Sequence, residues 1–153
     1  MSDSHDDHHD HHNPNFIQKY VFSTDHKMIG IQYGITALLF LLFGFYLMMV
    51  MRWSIAFPNE PLPSWMSWLF TEDWKAQWLS EGRLPGETYN MFGAMHGTIM
   101  VLLGVVPLGF GAFGNFVTPL QIGAPDMAFP KLNMASYWLY VVGGIMMLSL
   151  IHI

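Results

Sequence analysis

The stretch YNMFGAMHGTIM, residues 89–100, sets one histidine, His96, inside a segment that carries no charged side chain between Glu87 and Asp126. Glycines at positions 93 and 97 stand beside it. On a helix His96 would lie about seven residues, roughly 10 Å, in from the polar GETYN boundary. An ionisable side chain at that depth in hydrocarbon is costly unless it has a partner. Two kinds of partner meet the need. A neutral imidazole can hydrogen-bond a neighbouring helix, or one ring nitrogen can bind a metal, most naturally a haem iron, while the other is oriented by an acceptor behind it. Gly93 and Gly97 leave bare helix surface where a flat macrocycle or another helix can come close, and they do not choose between the two.

Arg52 ends the preceding apolar run on the membrane side from which the second run enters, so it is expected at nearly the depth of His96. It can snorkel to the interface or pair with carboxylate or carbonyl groups at the edge of a macrocycle. Asn115 lies 19 residues beyond His96, or roughly 28 Å of helix, and with Asp126 belongs to the opposite membrane face. These two are either an ordinary helix end and loop carboxylate, or the start of a polar path in which an acid collects protons and amides hold ordered water.

Apolar runs must position these groups. The chain has 153 residues, 52% hydrophobic and 11% charged, and its apolar residues gather into runs, as in a membrane protein. Residues 28 to 51 are 24 uncharged positions, enough to cross a bilayer core of roughly 30 Å. Residues 88 to 125 give a second crossing with interfacial chain, and MASYWLYVVGGIMMLSLIHI, from Met134, a third. The expected architecture is all-α, with transmembrane helices at about 28–52, 88–119 and 134–153 and a loop over 53–87. Pro107 removes a backbone donor in mid-helix, which predicts a kink near Val106 and Pro107.

Residues 1–15 hold five of the eight histidines and four aspartates and read as a disordered tail, with metal binding as its other use. STDH offers N-cap oxygens ahead of the first helix. Tryptophans 53, 65, 68, 74 and 78 suit a headgroup-level belt or a small packed cap. No basic, apolar, small-residue leader opens the chain, so no signal peptide is expected. With no cysteine, disulfides and thiolate metal sites are excluded, and nothing points to a nucleic-acid partner. Lys19, Lys27 and Lys131 on one side nearly balance Lys75, Arg83 and Arg52 on the other, so charge leaves orientation close to a tie.

STDHKMIG, MHGTIM, GFGNFVTPLQIGAPDMAFPKLN and SYW together resemble the N-terminal part of subunit I of the haem-copper terminal oxidases, over roughly residues 16–145. The resemblance implies the first three helices of a bundle of about twelve. It implies that His96 is an axial ligand of the low-spin haem, of type a with type b as the other option, and that Arg52 reaches a substituent of that ring. Asp126 would sit at the mouth of a proton-uptake channel, with Asn115 and Asn133 lining its entrance. The N-terminus and Asp126 would be cytoplasmic, in the plasma membrane of a bacterium. The implied partners are subunits II and III, cytochrome c, O2 and the lipid bilayer.

Three departures qualify this. A second asparagine frequent in the family is Met134 here. Positions that carry quinol contacts in the quinol-oxidising branch fall on Phe43, Leu47, Thr88 and Met91, which cannot supply that set of contacts, so cytochrome c is the expected donor. The closing LSLIHI departs from the family and resembles translated adapter, so His152 carries no weight. Ligands of the high-spin haem and copper are expected beyond this chain, and the 153 residues alone are not expected to reduce oxygen. A quinol oxidase, a small membrane haem protein and a structural bundle are the competing readings.

Overall fold

The computed structural model describes residues 20–68, 70–125 and 127–149. The 1–15 tail, Asp126 and His152 lie outside them. The regular elements in this range are helices: α1 (His26–Ala56), α2 (Ser64–Ser67), α3 (Glu72–Trp78), α4 (Gly86–Thr98), two π-helical stretches at Ile99–Val105 and Pro107–Gly114, α5 (Asn115–Ile122) and α6 (Pro130–Ser149). Three continuous helical runs are long and apolar enough to cross a membrane: His26–Ala56 with 31 residues, Gly86–Ile122 with 37 and Pro130–Ser149 with 20. At about 1.5 Å per residue the first two exceed a bilayer core of roughly 30 Å. Their ends must therefore tilt or reach into the headgroup region.

Local chemistry sets the ends. Asp25 caps α1 by accepting the Lys27 backbone N–H at 3.0 Å, as the STDH motif suggested. The far end of the second run closes on Gly123, whose φ of 68° is the left-handed conformation that glycine adopts without a Cβ penalty. Gln32 Nε2 donates to the carbonyls of Tyr20 and Val21 at 2.5 and 3.2 Å, which ties the entry segment to the side of α1.

The disturbance around Pro107 takes the form of a register change over residues 99–114, where i→i+5 bonding replaces i→i+4 on both sides of Val106. Proline supplies no N–H, so in an α-helix the Leu103 carbonyl would have no donor four residues on. The Tyr140 hydroxyl donates to that carbonyl at 2.6 Å. A defect in the second run thus becomes a bond that holds α6 to it.

α1 is the centre of the packing, with the second run and α6 against it. Near its C-terminal end Leu47 and Val50 bury against Phe92, Ile99 and Leu103, and the connecting segment adds Phe70 and Trp78. The Trp78 ring stands edge-on to Phe92 at 5.7 Å. Trp65 and Trp68 are 62% and 72% exposed, so the tryptophan-rich loop combines a packed cap with outward rings. Hydrocarbon provides little drive to bury apolar area between helices, so close approach and interhelical hydrogen bonds must carry association. Tyr33 OH pairs with Ser136 Oγ, and Thr36 Oγ1 with Tyr137 OH, each at 3.0 Å, as two rungs between α1 and α6.

Close approach is tight at Gly111, where an added Cβ would stand 2.5 Å from Cδ1 of Tyr33. Gly111→Ala is therefore expected to destabilise the bundle by about 1–3 kcal/mol through overpacking. A lowered thermal midpoint of the detergent-solubilised protein would register this, and an unchanged midpoint would show that the ring yields freely.

Candidate functional site

His96 lies in the last turn of α4, just before the π-helical stretch begins. Its Nδ1 is 2.9 Å from the backbone carbonyl oxygen of Gly44 on α1. A carbonyl can only accept, so Nδ1 carries the proton and donates, and Nε2 keeps the lone pair that a metal requires. The Gly44 contact also fixes the ring plane. A Cβ at residue 44 would lie 2.7 Å from Sδ of Met100, so a larger residue would have to displace that side chain. On the histidine's own helix a Cβ at Gly97 would meet nothing within 4 Å, and one at Gly93 only Sδ of Met51 at 3.9 Å. The half-buried imidazole thus stands beside a strip of bare backbone open to a flat ligand.

Arg52 is exposed. It lies eight residues past Gly44, about 12 Å along α1. It is therefore not level with His96 as the sequence suggested. The reason is the lengths of the two helical ends: α1 runs only four residues past Arg52, whereas α4 starts ten residues before His96. Only a ligand broad in the direction of the helix axes could meet both side chains.

The second group gathers where the second run meets α6. Asn115 is 5% exposed; its Nδ2 donates to the Gly111 carbonyl at 2.6 Å, and its Oδ1 accepts from Asn133 Nδ2 at 2.9 Å. The same Asn133 nitrogen lies 3.6 Å from Sδ of Met127. A cavity of about 370 Å³ is lined by Asn115 and Asn133 together with Tyr33, Ser136 and Tyr140, which is room and polarity enough for ordered water. Sequence reasoning missed Tyr33, Ser136 and Tyr140 here. The signal was present: Asn133, Ser136 and Tyr140 recur at helical spacing along one face of α6. Among the described residues no three His, Cys, Asp or Glu side chains group closely enough to hold a metal ion.

The family model described as cytochrome c and quinol oxidase polypeptide I matches residues 28–152. The chain belongs to that family. The match extends over 148–152, so the departure expected of the closing residues is not seen at this level. A cytochrome c oxidase subunit 1-beta of Streptomyces coelicolor is 42% identical over 131 residues, 86% of this chain and 19% of that protein. The cytochrome c oxidase subunit 1 of Thermostichus vulcanus is 38% identical over 130 residues, 85% of this chain and 20% of that protein. The chain therefore spans about a fifth of the length of these relatives. Membership accounts for the all-helical, multi-span architecture and links the oxidase subunit to haem and copper in general terms.

Phe43 and Leu47 help line a second cavity of about 410 Å³, together with the rings of Phe70, Trp74, Trp78 and Phe92. Thr88 is buried. That cavity is almost wholly apolar, and the hydroxyl of Tyr46 on its wall is already engaged with the Met66 carbonyl.

Proposed function

We propose that the chain is the N-terminal part of the catalytic subunit of a terminal respiratory oxidase that takes electrons from cytochrome c and reduces O2 to water while translocating protons. One observation carries this reading: the Gly44 carbonyl holds the protonated Nδ1 of His96 and leaves Nε2 as a free metal ligand beside bare backbone. That arrangement fits a low-spin haem, which we assign to type a with type b as the other option, and which when bound supplies one-electron chemistry. His96 provides one axial nitrogen, and the tautomer is fixed before any metal arrives. Arg52, displaced toward the end of α1, would pair with a polar substituent at the rim of the ring.

Asn115 and Asn133, with Asp126 ahead of them in the loop, would conduct protons inward through water held in the polar cavity. The N-terminus and Asp126 would then face the cytoplasm, and the three helices would cross the plasma membrane of a bacterium. The high-spin haem and copper would take their ligands from outside these 153 residues. Subunits II and III are the expected assembly partners.

Cytochrome c is favoured over a quinol because the 410 Å³ cavity around Phe43 and Leu47 offers almost no donor or acceptor for a quinol head group. Membranes containing the complete oxidase are expected to oxidise reduced cytochrome c rapidly and ubiquinol at no more than background rate. Rapid quinol oxidation with cytochrome c left reduced would reverse the assignment of the donor.

A further inference from the structure

The second run bonds to the fifth residue over two stretches, Ile99–Val105 and Pro107–Gly114, and between them the Val106 N–H meets the Val101 carbonyl. Such a register is rare and mostly confined to a single turn, so one that lasts longer needs contacts from outside the helix. One tyrosine holds each stretch. In the first, the Tyr140 hydroxyl donates to the Leu103 carbonyl at 2.6 Å, a side-chain bond that competes with the carbonyl's own place in the ladder. In the second, the Tyr33 ring lies so close to Gly111 that an added Cβ would stand 2.5 Å away. The two rings stack on each other, with centroids 5.4 Å apart and planes at 25°.

A helix that bonds five residues back turns through a smaller angle per residue than one that bonds four back, so the length of the wide stretch sets the face on which Asn115 emerges relative to His96. Asn115 opens α5 directly after that stretch, donates to the Gly111 carbonyl at 2.6 Å and accepts from Asn133 at 2.9 Å. His96 is held separately, before the wide stretch begins, by its bond to Gly44. A change of register therefore reaches the amide pair and spares the histidine. We propose that Tyr140 is a positioning residue: its hydroxyl on Leu103 keeps the second run in the wide register across Pro107 and so turns Asn115 to meet Asn133. The contacts that carry this are all internal to the chain. The functional half of the inference rests on the proton-path reading above; the register half does not.

The test compares the complete oxidase as wild type, Tyr140→Phe and Thr36→Val. Tyr140→Phe keeps the ring, its stack on Tyr33 and its edge contact with Phe40, and deletes only the donor. Thr36→Val removes a different hydrogen bond of α6, the one made by Tyr137. A cryo-electron-microscopy structure of Tyr140→Phe should show the wide register shortened ahead of Pro107 and Asn115 Oδ1 parted from Asn133 Nδ2. Turnover per haem should fall by about fivefold, the rate equivalent of one lost hydrogen bond, with the haem spectrum unchanged, while Thr36→Val turns over at the wild-type rate. An unaltered register and an intact Asn115–Asn133 bond in Tyr140→Phe would overturn the positioning role, whatever the proton route. An equal loss in Thr36→Val would overturn it too, because any bond of α6 would then serve. If the register moves and turnover does not, Asp126→Asn decides: a slowed Asp126→Asn overturns the link between Tyr140 and the path, whereas Asp126→Asn at the wild-type rate sinks the proton-path reading and leaves the register assignment standing.

Discussion

His96→Ala in the complete, membrane-assembled subunit is expected to remove the low-spin haem absorbance and reduce turnover by more than about 100-fold. That lower bound follows because loss of even an outer partner of a metal ligand costs about 10–100-fold in affinity or activity, and here the ligand itself is deleted. The bond to Gly44 makes the expectation specific. If His96 only joined two helices, removing it would cost about one interhelical hydrogen bond, averaging ~0.6 kcal/mol in membranes, and the haem spectrum would persist. Difference spectra of membranes separate the outcomes, since they report haem without requiring activity. An intact low-spin signal in the variant would eliminate every haem reading of this residue. Gly44→Ala is a useful companion because it leaves the carbonyl acceptor in place but pushes a Cβ to within 2.7 Å of Met100 Sδ. It should shift the spectrum through a tilted imidazole while leaving haem bound.

Much of the architecture was legible because a bilayer imposes a simple rule. A run of uncharged residues long enough to cross it has no alternative to a helix, so the runs after Lys27, Glu87 and Lys131 each read as a crossing. The capping oxygen of Asp25 was equally local and equally readable. The response to Pro107 was not. Sequence states that a donor is missing, but whether the chain bends or changes register depends on what stands opposite, here the Tyr140 hydroxyl aimed at Leu103 from α6. The depth of Arg52 was misjudged for a related reason: where a helix ends relative to its neighbour depends on the connecting segment, and the length of α4 ahead of His96 is not written in His96's own surroundings.

The two candidate sites differed in how visible they were. A histidine in hydrocarbon announces itself because its cost there is large. Its tautomer did not, since that depends on a backbone carbonyl of another helix, and backbone atoms leave no compositional trace. Tyr33, Ser136 and Tyr140 were hard to single out because hydroxyl-bearing residues are inexpensive in a helix and serve equally as interhelical rungs. In the structure Tyr33 does both, bonding Ser136 while lining the cavity beside Asn115.

Asp126→Asn in the complete enzyme is expected to slow steady-state oxygen reduction by about tenfold or more, since a positioned proton-transfer group typically contributes 10²–10⁴-fold and other routes recover part of it. Asparagine keeps the size and most hydrogen-bonding geometry of aspartate but cannot take up and release a proton near neutral pH, so a loss of rate reports proton delivery. The haem spectrum should be unchanged, which separates this variant from His96→Ala: one spares the cofactor and starves it of protons, the other removes the cofactor. The amide pair beyond it gives the expectation its direction. Asn115 donates to Gly111 and accepts from Asn133, and as carboxamides neither side chain titrates. They can hold water in place, and on the proposed reading the carboxylate that first accepts a proton is Asp126. Wild-type rates of proton uptake in Asp126→Asn, with normal haem, would show that protons enter elsewhere and would reduce the asparagine pair to a packing contact between the second helical run and α6.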